Sequence, residues 1–333
     1  MEKDNKVHLP LDFAPLTFCG EARRGFGEDC WCYGFGENTG LLAVFDGCGG
    51  LGARQHEVYA NHSEAFMASR LCAGVMYEQL QRSFPWSETG KEAAQQNLLS
   101  SLRQRLEANA PPLRPTSLQI KGLRTLPSTM AAALLQMQPD GEVGIHSVWA
   151  GDSRVYLLDS TGLSQLTRDD SNQPDPMEGL YDDGTLTNYL SADCPIRINS
   201  SSVCIKLPFV VLSATDGCFG YVSTPMEFEG MLLHTLLETN SIAQWEDQLQ
   251  KLIASYSGDD HTLCLAAFGY GSYEALRKSF EMRYDVLRAE YLNAVWQMPV
   301  EDRQSRRKLW SSYRKNYMKY VERKSTNADV GTL

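Results

Sequence analysis

The stretch Leu41-Leu42-Ala43-Val44-Phe45-Asp46-Gly47-Cys48-Gly49-Gly50 runs an apolar segment straight into a carboxylate and then into glycines. A short apolar run bounded by turn residues reads as a buried strand. A charge at the end of such a strand is costly unless something pairs with it. The glycines let the backbone turn sharply and bring a carbonyl close to whatever Asp46 holds. A hard cation held by Asp46 and the Gly47 carbonyl meets these demands. So does a plainer arrangement in which Asp46 caps the next helix, and this stretch alone leaves the two level.

The pattern returns along the chain. Phe209-Val210-Val211-Leu212-Ser213-Ala214-Thr215-Asp216-Gly217-Cys218 is again an apolar run ending in Asp-Gly-Cys. Asp259-Asp260-His261 leads into the apolar run Leu263 to Phe268, and Glu28-Asp29 precedes Cys30-Trp31-Cys32-Tyr33. Acidic positions at strand ends, far apart in sequence, point to carboxylates converging in one cleft. Converging carboxylates repel one another, and two metals sharing a bridging Asp are the usual remedy.

Length and composition set the frame. The 333 residues suffice for one large domain or two small ones. No apolar run approaches the ~20 residues that cross a bilayer, and the charged start, Met1 to Lys6, has no apolar leader segment. A cytoplasmic location is therefore expected. The nine cysteines include no C-x-x-C pair, which predicts reduced thiols rather than a disulfide frame or zinc site. Residues 271–333 carry 13 Lys and Arg against 8 Asp and Glu, whereas residues 1–270 carry 18 against 33. An acidic body argues against nucleic-acid binding, and a basic tail suggests a separate element.

Taken in order, strands are expected at 14–20, 30–35, 41–46, 128–138, 142–150, 154–159, 163–167, 203–207, 209–215 and 262–268. Helices are expected at 52–84, with Val58, Ala65, Phe66 and Leu71 facing inward, and at 91–108, ended by Pro111, Pro112 and Pro115. Two more are expected at 227–238 and 242–256. Residues 168–188, polar and without period, read as a long surface loop of a length that is often functional. Hairpins outnumber β-α-β crossovers, which favours antiparallel sheets packed face to face with helices outside, an α+β class.

The set Arg24-Gly25-Phe26-Gly27-Glu28-Asp29, Val44-Phe45-Asp46-Gly47-Cys48-Gly49-Gly50, Gly151-Asp152-Ser153-Arg154, Ala214-Thr215-Asp216-Gly217 and Asp259-Asp260-His261-Thr262 resembles the metal-dependent PP2C (PPM) serine/threonine phosphatases, bacterial type, over residues 15–270. The resemblance implies a four-layer αββα sandwich with a two-metal site at one edge. It implies that Asp46 bridges two Mn2+ or Mg2+ ions, that the Gly47 carbonyl holds one, and that Asp216 and Asp259 complete the ligand set of the second ion. Glu28 and Asp29 would act through waters, Asp152 would help hold a third ion, and Arg24 would bind the substrate phosphate. The implied activity is hydrolysis of phosphoserine and phosphothreonine in proteins, reversing a kinase carried on a separate chain. The chemistry is sound independently: an acidic cleft repels a phosphomonoester, and two divalent cations reverse that sign while lowering the pKa of a water between them.

Several residues have plainer readings. Arg23 is expected to be a solvated loop arginine, Arg154 structural, Asp260 a supporting group, and Ser128-Thr129 a hydrogen-bonding prop. Cys48 departs from the His that many eukaryotic relatives carry there, a poor exchange for a general acid; a metal-bound water, His56 and His62 are the alternatives. An inactive phosphoprotein-binding protein of the same fold, or a phosphatase of a small metabolite, remain open as rivals. Residues 271–333 lie outside the resemblance. Leu276, Phe280, Tyr284, Leu287, Tyr291 and Val295 form one helical stripe expected to pack on the body. A second, basic helix over 303–324 suggests docking of a partner protein or an acidic membrane.

Overall fold

Strands β3 (Thr39–Phe45), β9 (Phe209–Ala214) and β10 (His261–Phe268) are buried at every position. Successive side chains on a strand face opposite ways, so each of these strands needs cover on both faces. The computed structural model, which describes residues 8–83, 90–111, 123–182, 184–299 and 301–322, shows how the cover is supplied. The remaining strands are β1 (Leu16–Gly20), β2 (Cys30–Phe35), β4 (Met130–Met137), β5 (Val143–Ala150), β6 (Arg154–Asp159), β7 (Gly162–Gln165) and β8 (Asn199–Ile205). They form two five-stranded sheets, ordered β1-β10-β9-β6-β7 and β2-β3-β4-β5-β8, and every strand pairing is antiparallel.

Leu42, Val44, Phe209, Val211, Cys264 and Phe268 meet between the sheets. The alternate residues Leu41, Ala43 and Phe45 face α1 (Glu64–Ser83) and α2 (Lys91–Asn109), against Cys72, Met76, Leu98 and Leu102. On the far side Val210, Leu212, Leu263 and Leu265 face α3 (Pro225–Leu237) and α4 (Ile242–Tyr256), against Phe228, Leu232, Trp245 and Leu249. The layers are thus helix, sheet, sheet, helix, as expected.

The registers align one end of both sheets. Gly20 pairs with His261 and Ala214 with both Leu263 and Arg154 in one sheet; Cys30 pairs with Phe45 and Met130 with Ala150 in the other. Chain segments 20–29, 46–47, 128–129, 151–153, 215–217 and 259–260 therefore emerge together.

The helix expected over 52–84 is shorter. It begins at Glu64, after a 3-10 turn at Glu57–Tyr59, and its expected end at Phe84 lies outside the described residues, as do Pro112 and Pro115. Ala60 and Asn61 adopt left-handed backbone conformations that end any helix there. Val58, expected inward, is 74% exposed, while Ala65 is buried. Residues 52–63 instead serve Glu64, whose buried carboxylate accepts from Arg54 Nη2 at 3.2 Å and Leu126 N at 3.1 Å and pairs with His56 Nε2 at 2.7 Å. Strand β8 starts earlier than 203, because Ser202 Oγ finds His146 Nδ1 at 2.7 Å and Ser201 Oγ donates to the Leu166 carbonyl.

The C-terminal segment packs on the body. Helix α5 (Tyr273–Leu287) continues through a π turn, Arg288–Leu292, into α6 (Asn293–Gln297). The turn's wider spacing makes the buried face step from Leu287 to Leu292 rather than to Tyr291. Helix α7 (Arg303–Tyr317) buries Trp310, Tyr313 and Tyr317 in the same core as Tyr156 and Phe228. The apolar face of α7 is thus covered by the body, like the buried face of α5. Arg323 and Lys324, at the end of the expected helix, lie outside the described residues. Among the described residues, no helix is long and apolar enough to cross a membrane, and all nine cysteines are free.

The fully buried Glu229 of α3 accepts from Arg283 Nε at 2.6 Å and Nη2 at 2.9 Å, and from the Tyr313 hydroxyl of α7. Breaking a buried pair leaves a charge uncompensated. Arg283→Ala is therefore expected to destabilise the chain by about 3–5 kcal/mol, read from urea unfolding monitored by tryptophan fluorescence.

Candidate active site

The two Asp-Gly turns are shaped by close backbone packing. A Cβ at Gly47 would stand 2.5 Å from the Ala65 carbonyl oxygen and 2.8 Å from that of Glu28, and one at Gly217 would overlap the Asp260 carbonyl. Only glycine admits these approaches. The Asp46 backbone is fixed to the start of β4: its carbonyl accepts from Thr129 N at 2.8 Å and Ser128 Oγ at 2.9 Å, and its N–H donates to Thr129 Oγ1 at 3.4 Å. Thr129 Oγ1 lies 2.6 Å from Ser153 Oγ, beside Asp152. Ser128 and Thr129 are props, as expected.

Other contacts join the two sheets at this end. Thr215 Oγ1 donates to Asp29 Oδ2 at 2.8 Å and accepts from Thr262 N at 2.8 Å. Asp260 receives Ala22 N at 2.8 Å and Glu28 N at 2.6 Å, tying down both ends of the loop that carries Arg24. Glu28 accepts from Ser63 Oγ. Arg23 stacks on Phe26 at 4.1 Å, and Arg24 is exposed on the same loop. The carboxyls of Asp29, Asp46, Asp152, Asp216 and Asp259 lie close enough for Asp46 to feel all four of the others.

The electrostatics follow. Burial, then the neighbouring carboxylates, hold the Asp46 and Asp152 carboxyls well above the ordinary range. Burial raises Asp29 to about 8, against the lowering effect of its Thr215 hydrogen bond. Burial and the same carboxylates push up the Cys48 thiol, so in the protein alone it is no proton donor near neutral pH. Of the two histidines, His56 is committed to Glu64. His62 stacks on Phe66 at 3.9 Å and lines a cavity of about 310 Å³ with Gly25, Phe26 and Glu28.

Asp152 and Asp216 also line a cavity of about 470 Å³, walled by Ser171, Gln173, Gly179, Leu180 and Tyr181 of the loop expected over 168–188. That loop holds residues with no local signal in the sequence. Asp169 takes Arg154 Nη2 at 2.7 Å and Nε at 3.0 Å, which makes Arg154 structural. Asp170 accepts from Gly151 N at 3.2 Å, Asn188 Nδ2 at 2.6 Å and Asn199 Nδ2 at 2.7 Å. Both acids stand in an aperiodic polar run, and only the fold brings their partners near.

The donor set fits hard divalent cations. It is all oxygen, it carries an excess of buried negative charge, and Asp152 Oδ1 is buried without a hydrogen-bond partner. Among the described residues no three acidic, imidazole or thiol groups stand close enough to hold an ion by themselves. Mg2+ needs no such trio, since it keeps several waters and takes one or two carboxylates from the protein.

Because the folded chain holds the Asp29 proton up to about 8, against 3.8 for the free side chain, it binds more protons than the unfolded chain across that window. The metal-free protein is therefore expected to lose stability as pH rises from 3.8 towards 8. Melts in chelator across the range check the sign. Asp46→Asn in the same metal-free buffer is expected to raise the melting temperature, by about 2–4 °C for each 1 kcal/mol of repulsion relieved, and to abolish stabilisation by added Mn2+.

No family model matches the chain, and no curated protein sequence matches it. Solved structures do. The serine/threonine phosphatase Stp1 from Staphylococcus aureus superposes with a TM-score of 0.59 at 18% identity, over 80% of this chain and 99% of its own. The Mycobacterium tuberculosis serine/threonine phosphatase PstP/Ppp gives 0.54 at 19%, over 77% and 98%. The Mycobacterium smegmatis PPM Ser-Thr phosphatase MsPP, in complex with cacodylate, gives 0.54 at 14%, over 79% and 100%. At such identities the fold is what is shared: this chain has the αββα fold of the bacterial PPM serine/threonine phosphatases.

Proposed function

We propose that the chain is a Mn2+- or Mg2+-dependent phosphatase of phosphoserine and phosphothreonine in proteins, acting in a reducing compartment such as the cytoplasm to reverse a separate kinase. The observation that carries this reading is the gathering of Asp29, Asp46, Asp152, Asp216 and Asp259 at one end of a sandwich shared with known phosphatases. Nine free thiols fit a reducing setting. In this reading residues 1–270 are the phosphatase domain and 271–333 a helical extension.

Asp46, the Gly47 carbonyl, Asp216 and Asp259 would hold two ions, with Glu28 and Asp29 supporting them through waters and Asp152 serving a third. Bound there, the ions would supply the positive charge a phosphate dianion requires and a water acidic enough to attack near neutral pH. The chain's own residues do the rest. Asp260 fixes the loop of Arg24 at both ends, and from that loop the Arg24 guanidinium would make a two-pronged contact with phosphate oxygens. Thr215 holds Asp29 against the neighbouring sheet. With Cys48 unsuited to giving up a proton, His62, which shares a cavity with Gly25, Phe26 and Glu28, would be the histidine for that role.

The test is turnover of p-nitrophenyl phosphate and a phosphothreonine peptide, with and without Mn2+. Wild type is expected to require the metal, and Asp216→Asn to lower kcat about 100-fold or more, the scale for losing one preorganised electrostatic group. Arg24→Ala is expected to raise KM about tenfold, since a hydrogen bond to a charged group contributes about 1.5–3 kcal/mol. Phosphopeptide binding without metal-dependent turnover would replace this reading with that of a non-catalytic phosphoprotein binder.

A further inference from the structure

Helix α7 reaches from the tail to the wall of the cleft. Arg307 Nε and Nη2 donate to Glu178 Oε1 and Oε2 at 2.6 and 2.5 Å. Trp310 Nε1 donates to Asp175 Oδ1 at 3.0 Å, and Arg314 Nε lies 3.2 Å from Asp175 Oδ2. The Arg303 guanidinium sits 4.6 Å from the centre of the Tyr181 ring. Deeper in, the Tyr317 hydroxyl accepts from Arg154 Nη1 at 3.3 Å, the arginine that also holds Asp169. Each of these partners belongs to, or anchors, segment 168–182. That segment contributes Ser171, Gln173, Gly179, Leu180 and Tyr181 to the cavity shared with Asp152 and Asp216.

We propose that α7 is a brace that positions segment 168–182 at the mouth of the cleft, so that the C-terminal extension governs how a phosphorylated protein is held there; the substrate half of this inference rests on the phosphatase reading above. Burial of Trp310, Tyr313 and Tyr317 alone would dock α7 on the body. It would not require Arg303, Arg307 and Arg314 to meet Tyr181, Glu178 and Asp175 of a single segment. The segment has little regular structure of its own: Asp175 Oδ1 caps Met177 N at 2.9 Å, and the Asp175 carbonyl accepts from Gly179 N at 3.0 Å. The Met177 side chain is buried in the core that α7 completes. Further backbone bonds, Tyr181 N and Asp182 N to the Glu178 carbonyl and Asn172 N to the Thr185 carbonyl, also stay within the loop, so they shape the turns while the side chains that grip the loop set its place on the body. The grip is spread over several contacts, because one exposed pair such as Arg307–Glu178 is weak by itself.

The test uses the full chain with Arg307→Glu, Glu178→Arg and the two combined. Neither residue lines the cavity, and reversing one charge sets like charges face to face while reversing both restores the pair. Hydrogen exchange of segment 171–182 is expected to quicken in Arg307→Glu and to recover in the double variant. With Mn2+, Arg307→Glu is expected to raise KM for the phosphothreonine peptide about threefold, to leave p-nitrophenyl phosphate kinetics unchanged, and to be rescued in the double variant. Unchanged exchange in Arg307→Glu would overturn the brace. Faster exchange with unchanged peptide KM would overturn its role towards substrate. A wild type that turns over neither substrate would remove the phosphatase reading, and with it the substrate half of the inference, while exchange would still decide the brace.

Discussion

Carboxylates crowd one end of this sandwich. Both sheets are covered on both faces, so their interiors hold almost nothing but apolar side chains. The strand ends are where polar groups can stand, and the antiparallel registers bring six chain segments to the same end. Burial raises the Asp46 carboxyl most, and the charges of Asp29, Asp216, Asp152 and Asp259 add to it. Such an arrangement opposes stability locally and persists only where surrounding structure over-determines it. Here the surroundings are the Thr129 and Ser128 contacts to Asp46, the Thr215 bond to Asp29 and the Asp260 anchor of the Arg24 loop.

That concentration explains why the functional end was so visible in the sequence. A strand buried on both faces is a continuous apolar run, and a carboxylate directly after it, followed by glycine, marks both the strand's end and a turn that tolerates no Cβ. The extents of β2, β6 and α4 match their expected bounds for the same reason: a strong periodic or apolar pattern has few other ways to be buried. Asp46 and Asp216 were legible because each abuts such a run.

What was illegible depends on tertiary partners. The start of α1 lies more than three turns beyond the expected one because residues 52–63 fold around Glu64, and nothing local says that Arg54 and His56 are needed there. The polar start of β8 reads as a turn until His146 is placed across from Ser202. Asp169 and Asp170 sit in a run with no period, and their roles come from Arg154, Asn188 and Asn199, brought from other elements. The π turn at Arg288–Leu292 adds one residue to the helical repeat, which brings Leu292 into the buried face while Val295 of the expected stripe stays buried and Tyr291 packs at its edge.

The tail shows how one sequence signature serves two arrangements. A basic amphipathic helix after an acidic body looks the same whether its cations face a partner or face acids of its own chain. Charge counts along the sequence cannot separate the cases, because the deciding quantity is where the acids lie in space. In this chain Asp175 and Glu178 stand on a loop of turns bonded mainly to itself, and they pair with Arg314 and Arg307. The charge imbalance between body and tail is therefore met in part inside the molecule, and it is met at the wall of the cleft. An extension held by apolar burial alone could vary without touching chemistry, whereas one held through the wall of the acidic cavity cannot.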